Sequence, residues 1–128
     1  MKKVFTILIA DRNPRVRGFL QREMSREGYR IVLAENARDL LERPPDGDPI
    51  DLVILDPDLP DAVDASLMSL LRKRMPLVPV IIHTHPFHHL TEPEVSRSSI
   101  TVEKGGNSIE RLKEVARDIL KCTPDKTY

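Results

Sequence analysis

The sequence predicts an α/β fold: a doubly wound, five-stranded parallel sheet with helices on both faces. Three observations carry that expectation. Short apolar runs recur along the chain, and the clearest are continuous rather than alternating, as in strands covered on both faces. Segments with helical apolar spacing separate them, which implies right-handed crossovers. Several of the runs end in a polar residue at a loop, where open α/β sheets place ligands and chemistry.

The elements follow in order. Val4 to Ala10 is almost entirely apolar and reads as the first strand. Asn13-Pro14 starts a helix, since Asn is a good N-cap and Pro suits the first helical position. Val16, Phe19, Leu20, Glu23 and Met24 keep helical spacing until Gly28 stops it. Arg30 to Ala34 is a short second strand. Asn36 caps a second helix carrying Leu40 and Leu41, and Pro44-Pro45-Asp46-Gly47 is a loop. Leu52 to Leu55 is the third strand, delivering Asp56 to a loop that Pro57 and Pro60 keep irregular. Asp64 can cap a third helix whose apolar side is Leu67, Leu70 and Leu71. Leu77 to Ile82 is the fourth strand, ending in His83-Thr84-His85. Pro86 to Ser99 holds two prolines and weak periodicity, so the helix due there is expected to be short or frayed. Ile100 to Val102 is the fifth strand. Asn107-Ser108-Ile109-Glu110 opens the last helix with a capping-box pattern, and Ile109, Leu112, Val115, Ala116, Ile119 and Leu120 make its apolar stripe.

Composition narrows the function classes. The 128 residues suit one domain with its own core, here residues 1–122 with 123–128 as a C-terminal tail. Twenty basic and twenty acidic side chains cancel, so no global field favours nucleic acid or an anionic membrane, and any partner is chosen by a local patch. The one cysteine, Cys122, excludes an internal disulfide and reads as a small apolar residue of the last helix. Met1-Lys2-Lys3 before Val4 to Ala10 is too short in its apolar part for a signal peptide, and no segment is long enough to span a membrane. A reducing cytoplasm is the expected location.

Polar groups at four strand ends converge in this arrangement: Asp11 after the first strand, Asp56 after the third, Thr84 after the fourth and Lys104 after the fifth. Singly, each is an ordinary loop residue. Together, two carboxylates, a hydroxyl and an ammonium at adjacent strand ends can hold a divalent cation and a phosphoryl group.

On these residues the chain resembles a response-regulator receiver domain over almost its whole length. Ile7-Leu8-Ile9-Ala10-Asp11-Arg12-Asn13-Pro14 is similar to that family's first strand and acidic turn, and Ala34-Glu35-Asn36-Ala37 to the usual start of its second helix. Asp51 to Asp61 is similar to the phosphoacceptor strand, Pro79 to Thr84 to the hydroxyl-bearing strand, and Val102-Glu103-Lys104 to the lysine strand. The resemblance implies the flavodoxin-like receiver fold and a two-component phosphorelay. A histidine kinase or phosphotransfer protein passes its phosphoryl group to Asp56; Mg2+ is held by Asp11, Asp56 and the backbone carbonyl of Asp58. Thr84 and Lys104 then contact the phosphoryl oxygens, and the face of the fourth helix and fifth strand shifts to signal to a downstream protein. Such a domain is not an enzyme. Dimerisation through that face is common among similar proteins.

Four departures bear on that role. The family normally places a second acid where this chain has Arg12. A guanidinium cannot ligate Mg2+ and stays charged, so metal binding should weaken; alternatively Arg12 pairs with Asp56 and mimics the metal-bound or phosphorylated state, and the Asp58 carboxylate is a further compensating group. Thr101 stands where the family has an aromatic rotamer switch, Gly105 where it has proline, and His85 where it has a small residue. A pseudo-receiver that binds its partner without phosphorylation is therefore the runner-up; a flavodoxin-like cofactor binder ranks third, lacking a suitable phosphate loop.

All four histidines lie between His83 and His89. A transition-metal site is conceivable, with His83 and His85 pointing the same way, but exposed neutral histidines in a mobile, pH-sensitive loop are the simpler expectation. With only Thr123 to Tyr128 after the last helix, output is expected through a protein partner or through parts absent from this chain, not by direct nucleic-acid contact.

Overall fold

The computed structural model describes residues 4–42, 47, 49–61, 67–85 and 99–121. It contains β1 (Thr6–Ala10), α1 (Pro14–Arg26), β2 (Arg30–Ala34), α2 (Ala37–Leu41), β3 (Leu52–Leu55), α3 (Leu67–Arg74), β4 (Val80–Thr84), β5 (Ser99–Glu103) and α4 (Ser108–Lys121). The five strands form one sheet in the order β2-β1-β3-β4-β5, every neighbouring pair parallel. This is the doubly wound arrangement expected, and the chain reverses direction of build between β1 and β3, where such sheets open their crevice.

Alternation within the buried strands sends side chains to two cores. Leu8, Ala10, Val53, Leu55, Val80 and Ile82 pack with Leu40, Leu67, Met68 and Leu71 of α2 and α3. On the other face Ile7, Ile9, Leu52, Ile54 and Ile81 pack with Leu20, Met24, Leu112, Val115, Ala116 and Leu120 of α1 and α4. Each such fully buried aliphatic side chain contributes about 1.5–3 kcal/mol. Covering both faces explains why these strands read as unbroken apolar runs.

Local signals set the helix ends. The Asn13 side chain accepts from the Arg15 N–H with Pro14 at the first helical position, and Asn36 accepts from the Asp39 N–H. After α1 the chain turns at Gly28, whose φ of +94° suits a residue without Cβ.

Several boundaries differ from the sequence expectation. Thr6 opens β1, and Val4 is 59% exposed. Leu77, expected to begin the fourth strand, is 93% exposed, because Pro76 turns the chain there; the strand starts at Val80 and continues through His83 and Thr84. Pairing with β4 from Val80 to Thr84 lengthens β5 to Ser99–Glu103. Leu70 lies outside the core and Met68 replaces it, while Phe19 is exposed, with the Arg22 guanidinium 5.6 Å from its ring centroid. Lys113 and Arg117 are not merely a solvated face: Lys113 Nζ lies 3.1 Å from Glu23 and 3.8 Å from Glu27, and Arg117 3.5 Å from Glu27, bridging α4 to α1. The helix expected within 86–99, the Asp64 cap, His88, His89, Cys122 and the tail lie outside the described residues, as does most of the Pro44–Gly47 loop.

Candidate functional site

Sheet register brings the strand ends to one edge. The Asp11 N–H donates to the Ala34 carbonyl, the Asp56 N–H to the Ala10 carbonyl at 2.8 Å, and the Lys104 N–H to the Thr84 carbonyl at 2.7 Å. Each polar residue is thus the first position beyond a ladder, held by its own backbone before its side chain does anything. Asp11, Asp56 and Thr84 are buried, at 2–3% exposure.

The side chains converge on Lys104. Its Nζ lies 3.1 Å from Asp11 Oδ2 and 3.7 Å from Asp56 Oδ2, so one ammonium links both carboxylates. Arg12 approaches from the exposed side: its Nε is 3.8 Å from Asp56 Oδ2, and its backbone N–H donates to the same oxygen at 3.3 Å. The other oxygen, Oδ1, accepts the Asp58 N–H at 3.0 Å. Two acids face two cations, and the local formal charge is zero. In a site with a second acid in place of Arg12 it would be minus two.

Neighbours that the sequence reading missed pin this arrangement. The Asn13 N–H donates to Asp11 Oδ1 at 2.9 Å, and an Arg17 N–H donates to the Asp11 carbonyl at 2.7 Å, fixing the turn after β1. Asp61 accepts from the Ala37 and Arg38 N–H groups at 2.6 and 3.0 Å. It thereby ties the loop after Asp56 to the start of α2, and those hydrogen bonds hold its carboxyl below the usual range. Local sequence gives no sign of the Asp61 contacts, because their partners lie 23 and 24 positions away and only the fold brings them together.

The Thr84 hydroxyl is buried and has no hydrogen-bond partner among the described residues. Thr84 pairs in register with Glu103, the residue before Lys104, so this hydroxyl belongs to the same strand-end edge as the carboxylate-ammonium cluster, where an incoming oxygen would meet it. The donor set of Asp11, Asp56 and the Asp58 carbonyl consists of hard oxygens, the chemistry Mg2+ takes; Mg2+ commonly uses one or two carboxylates and completes its shell with water and phosphate. Those residues fit such an ion, with the Arg12 charge opposing it. Among the described residues no group of three or more His, Cys, Asp or Glu is arranged to hold a metal.

His83 corrects the expectation of exposed histidines. It is only 3% exposed, near the end of β4, with both ring nitrogens unpartnered among the described residues. Burial first, then the Lys104 charge, pushes its pKa down to about 4. It is neutral at pH 7 and does not titrate near neutrality. The folded pKa lies below the unfolded value of 6.5, so the neutral ring's contribution is fully present above 6.5 and is lost as pH falls toward 4. His83→Leu should therefore lose less stability than the native chain between pH 7.5 and 5, by about 2 kcal/mol, in urea unfolding at the two pH values. Parallel losses in both proteins would show that His83 is not held neutral by the fold.

Comparison with known proteins adds the lineage. A family model described as the response regulator receiver domain matches residues 7–97. The DNA-binding transcriptional regulator NtrC of Bradyrhizobium sp. (strain RP501 Parasponia) is 36% identical over 77 residues, which cover 60% of this chain; the match spans 16% of that relative's length. Among solved structures, the response regulator TrrA of Thermotoga maritima in complex with Mg2+-BeF superposes with a TM-score of 0.78 at 29% identity, covering 91% of this chain and 99% of that one. TrrA in complex with the histidine kinase ThkA gives the same TM-score at 30% identity and the same coverage. NtrX from Brucella abortus in complex with ADP also gives 0.78, at 26% identity, covering 93% of this chain and 27% of NtrX.

Proposed function

Because the chain belongs to the response regulator receiver family, we propose that it is the phosphoacceptor of a two-component relay, taking a phosphoryl group from a histidine kinase onto Asp56. The observation that carries this reading is the convergence of Asp11 and Asp56 within 3.7 Å of the Lys104 ammonium, at the strand-end edge that also carries the orphan hydroxyl of Thr84.

The roles follow from charge and position. The Asp56 carboxylate attacks phosphorus, and the nitrogen–phosphorus bond of the donor phosphohistidine breaks, leaving the imidazole with the bond's electron pair. A carboxylate is a modest nucleophile, so positioning and charge neutralisation supply most of the rate. The Asp58 and Arg12 N–H groups orient the Asp56 oxygens. Held by Asp11, Asp56 and the Asp58 carbonyl, Mg2+ would supply further neutralisation of the phosphoryl oxygens. Lys104 offers a point charge to the product, and Thr84 a donor that has no competing partner among the described residues. The chain acts as an acceptor and switch rather than as a turnover catalyst. A kinase partner is supported by the TrrA–ThkA complex; the downstream partner is a protein. Among the described residues no helix is long and apolar enough to cross a membrane.

The test is incubation of the full chain with acetyl phosphate and Mg2+, read by intact mass and peptide mapping. An added phosphoryl mass on Asp56 is expected; no incorporation, or incorporation elsewhere, overturns the reading. A second reading, a binding module that works unphosphorylated, is favoured by the 3.8 Å approach of Arg12 to Asp56. It predicts kinase binding without labelling.

A further inference from the structure

Arg12 does more in this site than oppose a metal ion. Its backbone N–H donates to Asp56 Oδ2 and the Asn13 N–H to Asp11 Oδ1, so the turn that carries residue 12 is fastened against both acids. The guanidinium reaches from there to 3.8 Å from Asp56 Oδ2, while the Lys104 ammonium lies 3.7 Å from the same oxygen. Two cations of different chemistry therefore sit on one carboxylate oxygen, and the Asp58 N–H donates to the other. The Arg12 side chain is 48% exposed against 12% for Lys104, so it is the cation that a donor arriving from solvent meets first.

Formal charge shows what this pairing replaces. With a second acid in place of Arg12, that acid, Asp11, Asp56 and Lys104 would together carry minus two, and one divalent cation would bring the site to zero. With Arg12 the site is at zero before any metal binds. Phosphoryl transfer needs the nucleophile held in line and positive charge on the phosphoryl group, whose negative charge spreads over three equatorial oxygens. A guanidinium supplies that charge through N–H donors in a fixed fork, a match to phosphoryl oxygens that an ammonium lacks. Lys104 supplies a second cation. The Thr84 hydroxyl, which has no partner among the described residues, supplies a further donor on the same strand-end edge. The chain itself thus carries a donor for each equatorial oxygen.

We propose that Arg12 is a catalytic residue of this receiver, neutralising the charge that a divalent cation would neutralise beside three acids, so that Asp56 takes a phosphoryl group without a metal. This role rests on the phosphoacceptor reading above and sets its metal requirement. In the step, an Asp56 carboxylate oxygen forms the bond to phosphorus, the donor's own bond to phosphorus breaks, and its electron pair leaves with the donor. The Arg12 guanidinium turns from Asp56 Oδ2 to the phosphoryl oxygens beside it, and its half-exposed side chain has the freedom to do so. Metal and guanidinium then compete for one place, because a cation held by Asp11 and Asp56 must face Arg12.

The test is labelling of the full chain by acetyl phosphate, whose acetate leaves with the electron pair of the broken oxygen–phosphorus bond, followed over time by intact mass in EDTA and in excess Mg2+. Asp56→Asn sets the background. The native chain is expected to be labelled in EDTA at no less than about a tenth of its rate in Mg2+. Arg12→Gln should slow labelling in EDTA by about tenfold yet speed it in Mg2+, and Arg12→Lys should keep part of the EDTA rate, having the charge without the fork. That reversal of sign is a result that a merely structural role for Arg12 does not produce. Native labelling in Mg2+ with none in EDTA overturns the role of Arg12 and leaves Asp56 standing as the acceptor, as does an Arg12→Gln rate that is unchanged in EDTA or falls equally in both conditions. No labelling of the native chain in either condition defeats the phosphoacceptor reading itself, and the role of Arg12 with it.

Discussion

Replacing Arg12 by aspartate is expected to raise Mg2+ affinity about ten- to a hundredfold. The substitution exchanges a positive for a negative charge beside Asp56, whose Oδ2 now lies 3.8 Å from the guanidinium. Two charge units a few ångströms from a divalent cation amount to several kcal/mol at a protein surface. Exposure of roughly half the Arg12 side chain reduces this to about 1.4–2.8 kcal/mol. The chain has no tryptophan, so calorimetry or amide shifts must serve as the readout. The same variant should be labelled faster by acetyl phosphate at low Mg2+. An unchanged Mg2+ affinity would mean that Arg12 swings away from the site in solution and that the local zero charge does not govern metal binding.

Lys104→Met should lower stability by about 2–4 kcal/mol at neutral pH without Mg2+, because it leaves two buried carboxylates without the ammonium between them. Methionine keeps most of the apolar stem, so little of the loss comes from packing. Arg12 offsets part of it, since its guanidinium remains 3.8 Å from Asp56. Added Mg2+ should recover stability in Lys104→Met more than in the native chain, as the cation takes over the neutralising role. Chemical denaturation with and without Mg2+ measures both effects. A variant as stable as the native chain would show that water, not Lys104, solvates the two carboxylates. The double variant Arg12→Asp with Lys104→Met should lose more than the sum of the single changes, because the two cations neutralise a common oxygen, Asp56 Oδ2.

Much of the fold was legible in the sequence. Strands buried on both faces leave continuous apolar runs, and their order of alternation with helices admits few parallel topologies. The capping residues Asn13 and Asn36 and the stop at Gly28 act within a few residues, so local chemistry alone places them. Failures came where an apolar residue had two acceptable surroundings. Leu77, Leu70 and Phe19 carry the right chemistry for a core, but a proline turn and the helix phase put them outside it.

The sequence by itself determined the sheet class and which polar residues, Asp11, Asp56, Thr84 and Lys104, stand at the ends of its strands, because a polar residue that ends a buried strand must emerge at the sheet edge. Only the tertiary structure decided how those groups meet: that one ammonium serves two carboxylates, that Arg12 turns toward Asp56, that Asp61 fastens the loop to α2, and that His83 is sealed beside a cavity. Periodicity records which face a side chain takes. Distances between residues forty or more positions apart, such as Arg12 and Asp56, are set by strand register and by the packing of elements that share no local sequence.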